Sequence, residues 1–233
     1  DEDDPDDPAS YASKDVNSNW ESIPFSELEI NEQIGGGGVG LVFTGYHNDA
    51  PVALKTLFDT KVTPELHQEF MDELLIMSSV SHPNIVTFYG ASLTPPNLCF
   101  VMELCKFSLF DLLHKNKNDA FSKYERIEWC HQIAKGMKYL HSLAPAIIHR
   151  DIKSHNILVG DGGEMKLCDF GLVRTKTTSA GTPNYMAPEL FMNRPFSRAV
   201  DVYAFAMVVH EIFTQELPFS SYDVDDIRRE VVD

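Results

Sequence analysis

The chain has 233 residues, which allows one large domain or two small ones with a sizeable hydrophobic core. Hydrophobic residues make up 43% and charged residues 23%, so a wholly disordered or collagen-like chain is excluded. The formal net charge of −16 has the wrong sign for a general binder of nucleic acid or anionic membranes, and it favours basic or neutral partners.

The chain begins with an acidic run. Most of the first eight residues are Asp or Glu, and Pro5 and Pro8 interrupt them. Such a run repels itself and buries no apolar surface, so residues 1–19 are predicted to form a disordered, solubilising tail. A docking site is the alternative interpretation of this run.

The next part of the chain, about 28–104, predicts a β-rich lobe. Apolar residues at 28–30, 41–43 and 52–54, with a turn signal at 47–49, predict three antiparallel strands. Apolar runs at 85–89 and 98–104 complete a five-stranded antiparallel sheet. One helix is predicted within this lobe, because Thr63-Pro64-Glu65 has the pattern of a helix start and apolar residues follow at spacings of three and four.

The part from about 105 to 233 predicts a mainly helical lobe. Ser122 and Glu125 form a capping box ahead of a helix, and further helices are predicted at 200–213 and 223–232. Short strands are predicted at 157–159 and 165–167, around a glycine-rich turn. The expected fold class is α+β, with two lobes that meet near 103–107 in one domain of residues 20–233.

The cysteines and the apolar runs predict the cellular compartment of the protein. Cys99, Cys105, Cys130 and Cys168 form no C-x-x-C pair, which argues against a zinc site and a disulfide framework and predicts reduced thiols in the cytoplasm. The longest apolar run, 202–209, is too short to span a bilayer, and no signal-peptide pattern opens the chain. Because the first residue is Asp, the sequence is expected to be trimmed or processed.

Residues 35–42 carry the first chemical motif, G-x-G-x-x-G-x-V, in which missing side chains let backbone amides approach phosphates. A dinucleotide-binding interpretation requires a helix directly after the glycines, whereas a β-run follows here. Lys55 comes after this loop at the distance needed to reach the α- and β-phosphates of ATP. A surface lysine at the end of a strand is the alternative.

Three further motifs follow in the helical part. Residues 149–156 match H-R-D-x-x-x-x-N, 169–171 are Asp-Phe-Gly, and 187–189 are Ala-Pro-Glu. Because these four motifs and Lys55 stand in order at workable separations, the chain resembles a eukaryotic protein kinase catalytic domain from about 28 to 230. Lys153 and residues 181–185 are similar to the serine/threonine pattern, and residues 69–73 and 82–86 resemble the tyrosine-kinase-like group, which includes the Raf and mixed-lineage kinases.

The resemblance implies an ATP- and Mg²⁺-dependent enzyme that transfers the γ-phosphoryl group to serine or threonine hydroxyls of proteins. Asp151 takes the position of the base, and Lys153 steadies the transferred group. Lys55 contacts phosphates and is held by Glu73, with Glu69 one helical turn earlier as the alternative.

The resemblance also implies the ligand contacts. Asn156 and Asp169 supply oxygen atoms of the kind that Mg²⁺ prefers. The residues expected to contact ATP are Gly35, Gly36, Gly37, Gly38, Val39, Gly40, Val42, Ala53, Lys55, Met102, Glu103, Cys105 and Leu158. Core packing explains Val42, Ala53 and Leu158 equally well.

Partners and regulation are implied in the same way. The expected role is intracellular signalling, with an upstream kinase that phosphorylates Thr175, Thr177, Thr178 or Ser179. Neither a nucleic-acid partner nor a membrane span is expected. Because the sequence ends inside its last predicted helix, the C-terminal lobe is expected to be incomplete. A nucleotide-binding pseudokinase scaffold and an inactive kinase fragment are therefore the rival interpretations.

Overall fold

The computed structural model describes residues 20–37, 40–57, 63–115, 120–170 and 181–232. The predicted tail 1–19 lies outside these residues, as do Gly38, Val39 and the predicted phosphorylation segment 175–179. The chain divides into two compact units. The first comprises residues up to 79 together with 87–104, and the second comprises 80–86 and everything from 105 onward. The predicted N-terminal lobe, about 28–104, differs from the first unit because 20–27 belong to that unit and 80–86 do not.

The first unit contains a six-stranded sheet, in which the five predicted antiparallel strands are joined by one strand that was not predicted. Its strands are β1 (Glu21–Ser22), β2 (Leu28–Gly37), β3 (Gly40–His47), β4 (Ala50–Leu57), β5 (Phe88–Ser92) and β6 (Cys99–Glu103), in the order β1-β5-β6-β4-β3-β2. The additional strand, β1, runs parallel to β5, and the other pairs are antiparallel. A two-residue strand is too short to show an alternating pattern in the sequence. Gly90 permits the pairing, because a Cβ atom there would collide with the carbonyl oxygen of Glu21.

The strand predicted at 85–89 begins three residues later, as β5. Ile85 forms a β-bridge with Leu167, and the backbone N–H of Val86 donates to the Leu167 carbonyl at 2.9 Å. Because these partners belong to the second unit, the apolar residues that predicted the strand pack in that unit instead.

The predicted helix of the first unit is α1 (Pro64–Ser79). Thr63 caps it, since its hydroxyl oxygen accepts the backbone N–H of Leu66 at 3.2 Å. The helix buries one apolar face, and the ring of Phe70 stacks on that of Phe100 with centroids 4.1 Å apart. The residues of this buried face are Phe70, Leu74, Ile76 and Met77.

The second unit is mainly helical, as predicted, and the α+β fold class is confirmed. Its helices are α2 (Leu109–His114), α3 (Lys123–Ser142), α4 (Pro188–Phe191), α5 (Ala199–Thr214) and α6 (Val224–Val232). A three-stranded sheet joins β7 (Phe107–Ser108), β8 (Ile157–Val159) and β9 (Met165–Leu167). The predicted capping box begins α3, because Ser122 and Glu125 each accept the other's backbone N–H.

One glycine determines how closely the second unit packs around α3. A Cβ atom at Gly136 would lie 2.8 Å from the carbonyl oxygen of Asn84 and 3.0 Å from Cδ1 of Leu167. The absence of a side chain therefore lets residues 80–86 and β9 lie directly against this helix.

The four cysteines are free thiols in the structure. Burial raises the pKa of the Cys99 thiol to about 12, which keeps it protonated and unreactive. No helix in the described part of the chain is long and apolar enough to cross a membrane.

Candidate active site

The glycine motif lies at the turn between β2 and β3. Gly35 pairs with Val42, and Gly37 pairs with Gly40. Gly36 lies between them, whereas Gly38 and Val39 are outside the described residues. A Cβ atom at Gly40 would lie 2.5 Å from the carbonyl oxygen of Thr56, so a glycine is required where β3 approaches β4.

Four of the predicted ATP contacts lie on one face of the six-stranded sheet. Val42 is directly opposite Lys55, and Ala53 is directly opposite Met102. Ala53 and Lys55 are two residues apart on β4, and directly paired residues project from the same side of a sheet. The strand register therefore gathers Val42, Ala53, Lys55 and Met102 on a single surface.

Glu103, the next predicted contact, ends β6 and binds Thr87. Its backbone N–H donates to the Thr87 carbonyl at 2.9 Å, while its carboxylate accepts the Thr87 N–H at 3.0 Å and the Thr87 hydroxyl at 2.8 Å. These bonds fix the backbone at the end of β6. The remaining predicted contacts, Cys105 and Leu158, belong to the second unit and are half-buried there.

Lys55 and Glu73 form an ion pair that connects β4 to α1. Lys55 Nζ lies 2.7 Å from Glu73 Oε1, and the two side chains are only 15% and 11% exposed. This partial burial reduces solvent screening and strengthens the attraction. The alternative counter-ion, Glu69, is exposed on the same helix.

In the second unit, the segment that carries Asp151 is fixed by a buried carboxylate of α5. Asp201 is 1% exposed and accepts the backbone N–H groups of His149 at 2.9 Å and Arg150 at 2.8 Å. His141 Nε2 donates to the same carboxylate at 2.7 Å. Arg150 has a φ of 69°, a left-handed conformation that these two backbone bonds stabilise.

Asp151 itself is surrounded by donors. The side-chain amide of Asn156 donates to its backbone carbonyl and to Oδ2, both at 2.9 Å. Lys153 Nζ lies 2.8 Å from Oδ2, and the Thr182 hydroxyl donates to Oδ1 at 3.2 Å. Lys153 also donates to the Thr182 oxygen at 2.9 Å. The structure thus brings together Asp151, Lys153 and Asn156, with the carboxylate oriented on both oxygens.

Asn156 and Asp169 have the oxygen chemistry of a Mg²⁺ site. The Asn156 amide nitrogen is used on Asp151, which directs its oxygen elsewhere. Asp169 follows Cys168, whose backbone N–H donates to the Asn156 carbonyl at 3.0 Å. Asp169 is exposed, with φ at 65°. Two such ligands suit Mg²⁺, which keeps several waters and completes its shell with substrate phosphates. No cluster of three or more His, Cys, Asp or Glu that could hold a metal by itself occurs among the described residues.

His149 and Phe170 connect the segment around Asp169 to the segment that carries Asp151. His149 Nε2 donates to the Cys168 carbonyl at 3.0 Å, and its ring packs on that of Phe170 with centroids 5.2 Å apart. Both side chains are buried. The chain before Asp169 is therefore tied to the segment that carries Asp151.

Sequence reasoning missed a second buried carboxylate on α5. Glu211 is fully buried and contacts His114, Ser154 and Tyr185. Two acidic residues, Asp201 and Glu211, within a strongly apolar helix are the signal that could have found it, because a buried carboxylate requires donors.

A family model described as "Protein kinase domain" matches residues 28–233. Over 208 residues, 85% of the chain, the sequence is 40% identical to serine/threonine-protein kinase CTR1 of Arabidopsis thaliana, and over 205 residues, 84% of the chain, it is 40% identical to the probable serine/threonine-protein kinase SIS8 of the same plant. The probable serine/threonine-protein kinase drkD of Dictyostelium discoideum is 36% identical over 218 residues, 91% of the chain. The aligned part spans 25%, 20% and 17% of these three relatives.

Proposed function

Because the chain belongs to the protein kinase domain family, we propose that it transfers the γ-phosphoryl group of ATP to serine and threonine hydroxyls of protein substrates. The family generally uses ATP and Mg²⁺. The observation that carries the proposal is the arrangement at Asp151, where Lys153, Asn156 and Thr182 all contact one carboxylate or its backbone.

Asp151 acts on the hydroxyl group of the serine or threonine that accepts the phosphoryl group. The carboxylate accepts the hydrogen bond of the substrate hydroxyl, orients its oxygen and takes up its proton as the phosphoryl group is transferred. Thr182 and Asn156 hold the two carboxylate oxygens during this step. In the structure Lys153 forms an ion pair with Asp151. During transfer, Lys153 neutralises negative charge on the transferred phosphoryl group.

The phosphates of ATP require further positive charge. Lys55, oriented by Glu73, binds the α- and β-phosphates, and the amides of the glycine motif approach them closely. Asn156 and Asp169 would hold Mg²⁺, which supplies neutralisation of the phosphate charge. Val42 and Ala53 on the common face of the sheet give the adenine ring an apolar surface.

The preference for serine and threonine is supported by Lys153 and Thr182. Lys153 stands two residues after Asp151, and its 2.9 Å bond to Thr182 joins the two motifs that are typical of serine/threonine kinases. The relatives carry the same specificity in their names. An upstream activating kinase, a role in signal transduction and a cytoplasmic location remain predictions.

A transfer assay tests the proposal. The purified chain, incubated with γ-labelled ATP, Mg²⁺ and a basic generic protein substrate, is expected to yield phosphoserine or phosphothreonine. Asp151→Asn removes the base while keeping its shape, so the rate is expected to fall about 10²–10⁴-fold. Asp161→Asn, on the exposed turn after β8, is the matched control and should keep the parent rate. Nucleotide binding without transfer would instead identify a pseudokinase scaffold, and mainly phosphotyrosine would refute the specificity.

A further inference from the structure

The buried carboxylate of Glu211 is the strongest polar feature outside the residues that act on ATP and the acceptor. The side chain is 0% exposed, on a helix whose other buried residues are mostly apolar. Three donors satisfy it: Ser154 Oγ at 2.7 Å and His114 Nε2 at 2.8 Å on Oε1, and the Tyr185 hydroxyl at 2.7 Å on Oε2. A carboxylate in such an environment is stable only if donors of this kind remain in place.

Two of these donors belong to the segments that form the Asp151 cluster. Ser154 follows Lys153 directly, and Tyr185 lies three residues after Thr182. Their two oxygen atoms are 3.2 Å apart. The pKa of the Tyr185 hydroxyl is raised by burial and by the charge of Glu211, so the group stays protonated as a donor. Glu211 therefore holds, at a second point, the same two segments that meet at Asp151.

The third donor, His114, comes from a different element. It lies in the last turn of α2, and its side chain is 16% exposed. Because an ionised carboxylate only accepts hydrogen bonds, His114 must donate from Nε2. The Phe110 ring lies 4.6 Å from the His114 ring and 3.8 Å from the His155 ring, centroid to centroid, which orients the imidazole.

His114 differs from the other two donors in chemistry and in position. Serine and tyrosine hydroxyls donate one neutral hydrogen bond each, whereas an imidazole can also carry a positive charge. Among the described donors to Glu211, His114 is the one that lies outside the segments 149–156 and 181–190. Loss of its hydrogen bond leaves Ser154 as the described donor to Oε1.

We propose that His114 is a positioning residue for phosphoryl transfer, and that its Nε2 hydrogen bond to Glu211 holds the Ser154 and Tyr185 segments so that Asp151 faces the acceptor hydroxyl. The inference rests on the proposed function. His114 touches neither substrate nor ATP and acts through Glu211.

Two amide substitutions test this hydrogen bond. In His114→Gln the amide nitrogen stands at the distance of Nε2 and can donate to Glu211, whereas in His114→Asn the same amide is one methylene shorter and cannot reach it. The peptide-phosphorylation kcat is expected to fall about 10–100-fold in His114→Asn, because a small displacement of a reacting group has effects of this size, and to stay within about threefold of the parent in His114→Gln. KM for ATP should be unchanged in both variants, and the slow turnover of ATP by water should fall much less than peptide transfer.

The melting temperature and hydrogen exchange separate positioning from general destabilisation. Amides of 149–156 and 181–190 are expected to exchange faster in His114→Asn than in His114→Gln, with no change in 165–167. Equal kcat values for the two variants, or losses that follow melting temperature and the ATP KM together, would overturn the inference. A parent chain that transfers no phosphate would refute the proposed function, while the exchange measurement would still decide whether His114 holds the two segments.

Glu211→Met provides an independent check, because it removes the acceptor of this hydrogen bond while keeping a side chain of similar length. With no acceptor at 211, the Asn and Gln variants at 114 are expected to show the same kcat. A persistent difference would mean that His114 acts elsewhere. If Glu211→Met does not fold, the comparison at position 114 alone still decides the matter.

Discussion

In the first unit, Lys55 is held by an ion pair that connects a strand to a helix, whereas in the second unit Asp151 lies on a segment hydrogen-bonded to two buried carboxylates of one helix. The Lys55–Glu73 contact therefore depends on how α1 lies against the sheet. The Asp151 cluster depends on α5, which anchors it at Asp201 and at Glu211. The Lys55–Glu73 contact is accordingly the more easily lost of the two, and the geometry around Asp151 is the more strongly determined.

The two units also differ in charge. Lys55 is the lone lysine or arginine among the described residues of the first unit, which carry many exposed carboxylates. Glu73 thus has no alternative cation on its own unit in the described part of the chain. The second unit has several, and Lys153 is shared between Asp151 and Thr182.

The largest expected effect comes from breaking the ion pair of the first unit. Lys55→Met should lower kcat/KM by about 10²–10⁴-fold, since it removes the positive charge that is proposed to bind the phosphates of ATP. Glu73→Gln should lower kcat/KM less, since Lys55 remains. The double variant should match Lys55→Met, because Glu73 acts through Lys55. Steady-state kinetics over a range of ATP concentrations measure all three. Glu69→Gln is the control, and a loss there equal to that of Glu73→Gln would show that the ion pair is not what orients Lys55.

The next effect concerns the anchor of the second unit. Asp201→Ala removes the acceptor of two backbone N–H groups and of His141, so the free energy of unfolding should fall by about 3–5 kcal/mol. Glu73→Gln should cost less, because the described contact that it weakens is a single ion pair and the amide oxygen can still accept a hydrogen bond from Lys55. Denaturant titration followed by circular dichroism measures both. Similar losses would mean that the two units are held equally firmly.

The smallest effect is a pH dependence at His82. Burial, with a lesser contribution from the charge of Lys135, lowers the pKa of His82 below its ordinary value of 6.5, and its Nδ1 accepts the Asn84 N–H at 3.0 Å. The unfolded chain then binds a proton at a higher pH than the folded chain, so this contribution to stability is present above 6.5 and is lost as the pH falls below it. His82→Asn keeps an acceptor at the Nδ1 position without titrating. Between pH 7 and pH 5 its denaturation midpoint should fall less than that of the parent, and an equal fall would contradict the assignment.

The sequence predicted most helices and strands because caps, turns and periodic apolar residues are local signals. Thr63, Ser122 and Glu125 begin their helices where expected. The strand β1 and the start of β5 were missed, since both depend on partners far along the chain, Gly90 for one and Leu167 for the other.

The candidate site shows the same division. The motifs named Lys55, Asp151, Asn156 and Asp169, whose spacing is a local property of the sequence, and their roles remain predictions. The sequence already favoured Glu73 over Glu69 as the counter-ion of Lys55, and the structure pairs Lys55 with Glu73. His114 and Glu211 could not have been paired from sequence, because their contact joins residues 97 positions apart.

The packing of residues 80–86 against Gly136 and Leu167 affects the order in which segments can fold during synthesis. Residues 80–86 leave the ribosome well before Gly136 and Leu167, against which they pack. At about 5–20 residues per second, Ile85 and Val86 stay uncovered for several seconds after the strands that precede them have emerged. The sequence of the first unit is thus interrupted by residues 80–86, whose packing partners have not yet been synthesised. Strands β5 and β6 follow this segment in the chain. A nascent chain that has emerged as far as about residue 110 would expose this segment to chaperones, whereas one that has emerged past 170 would not.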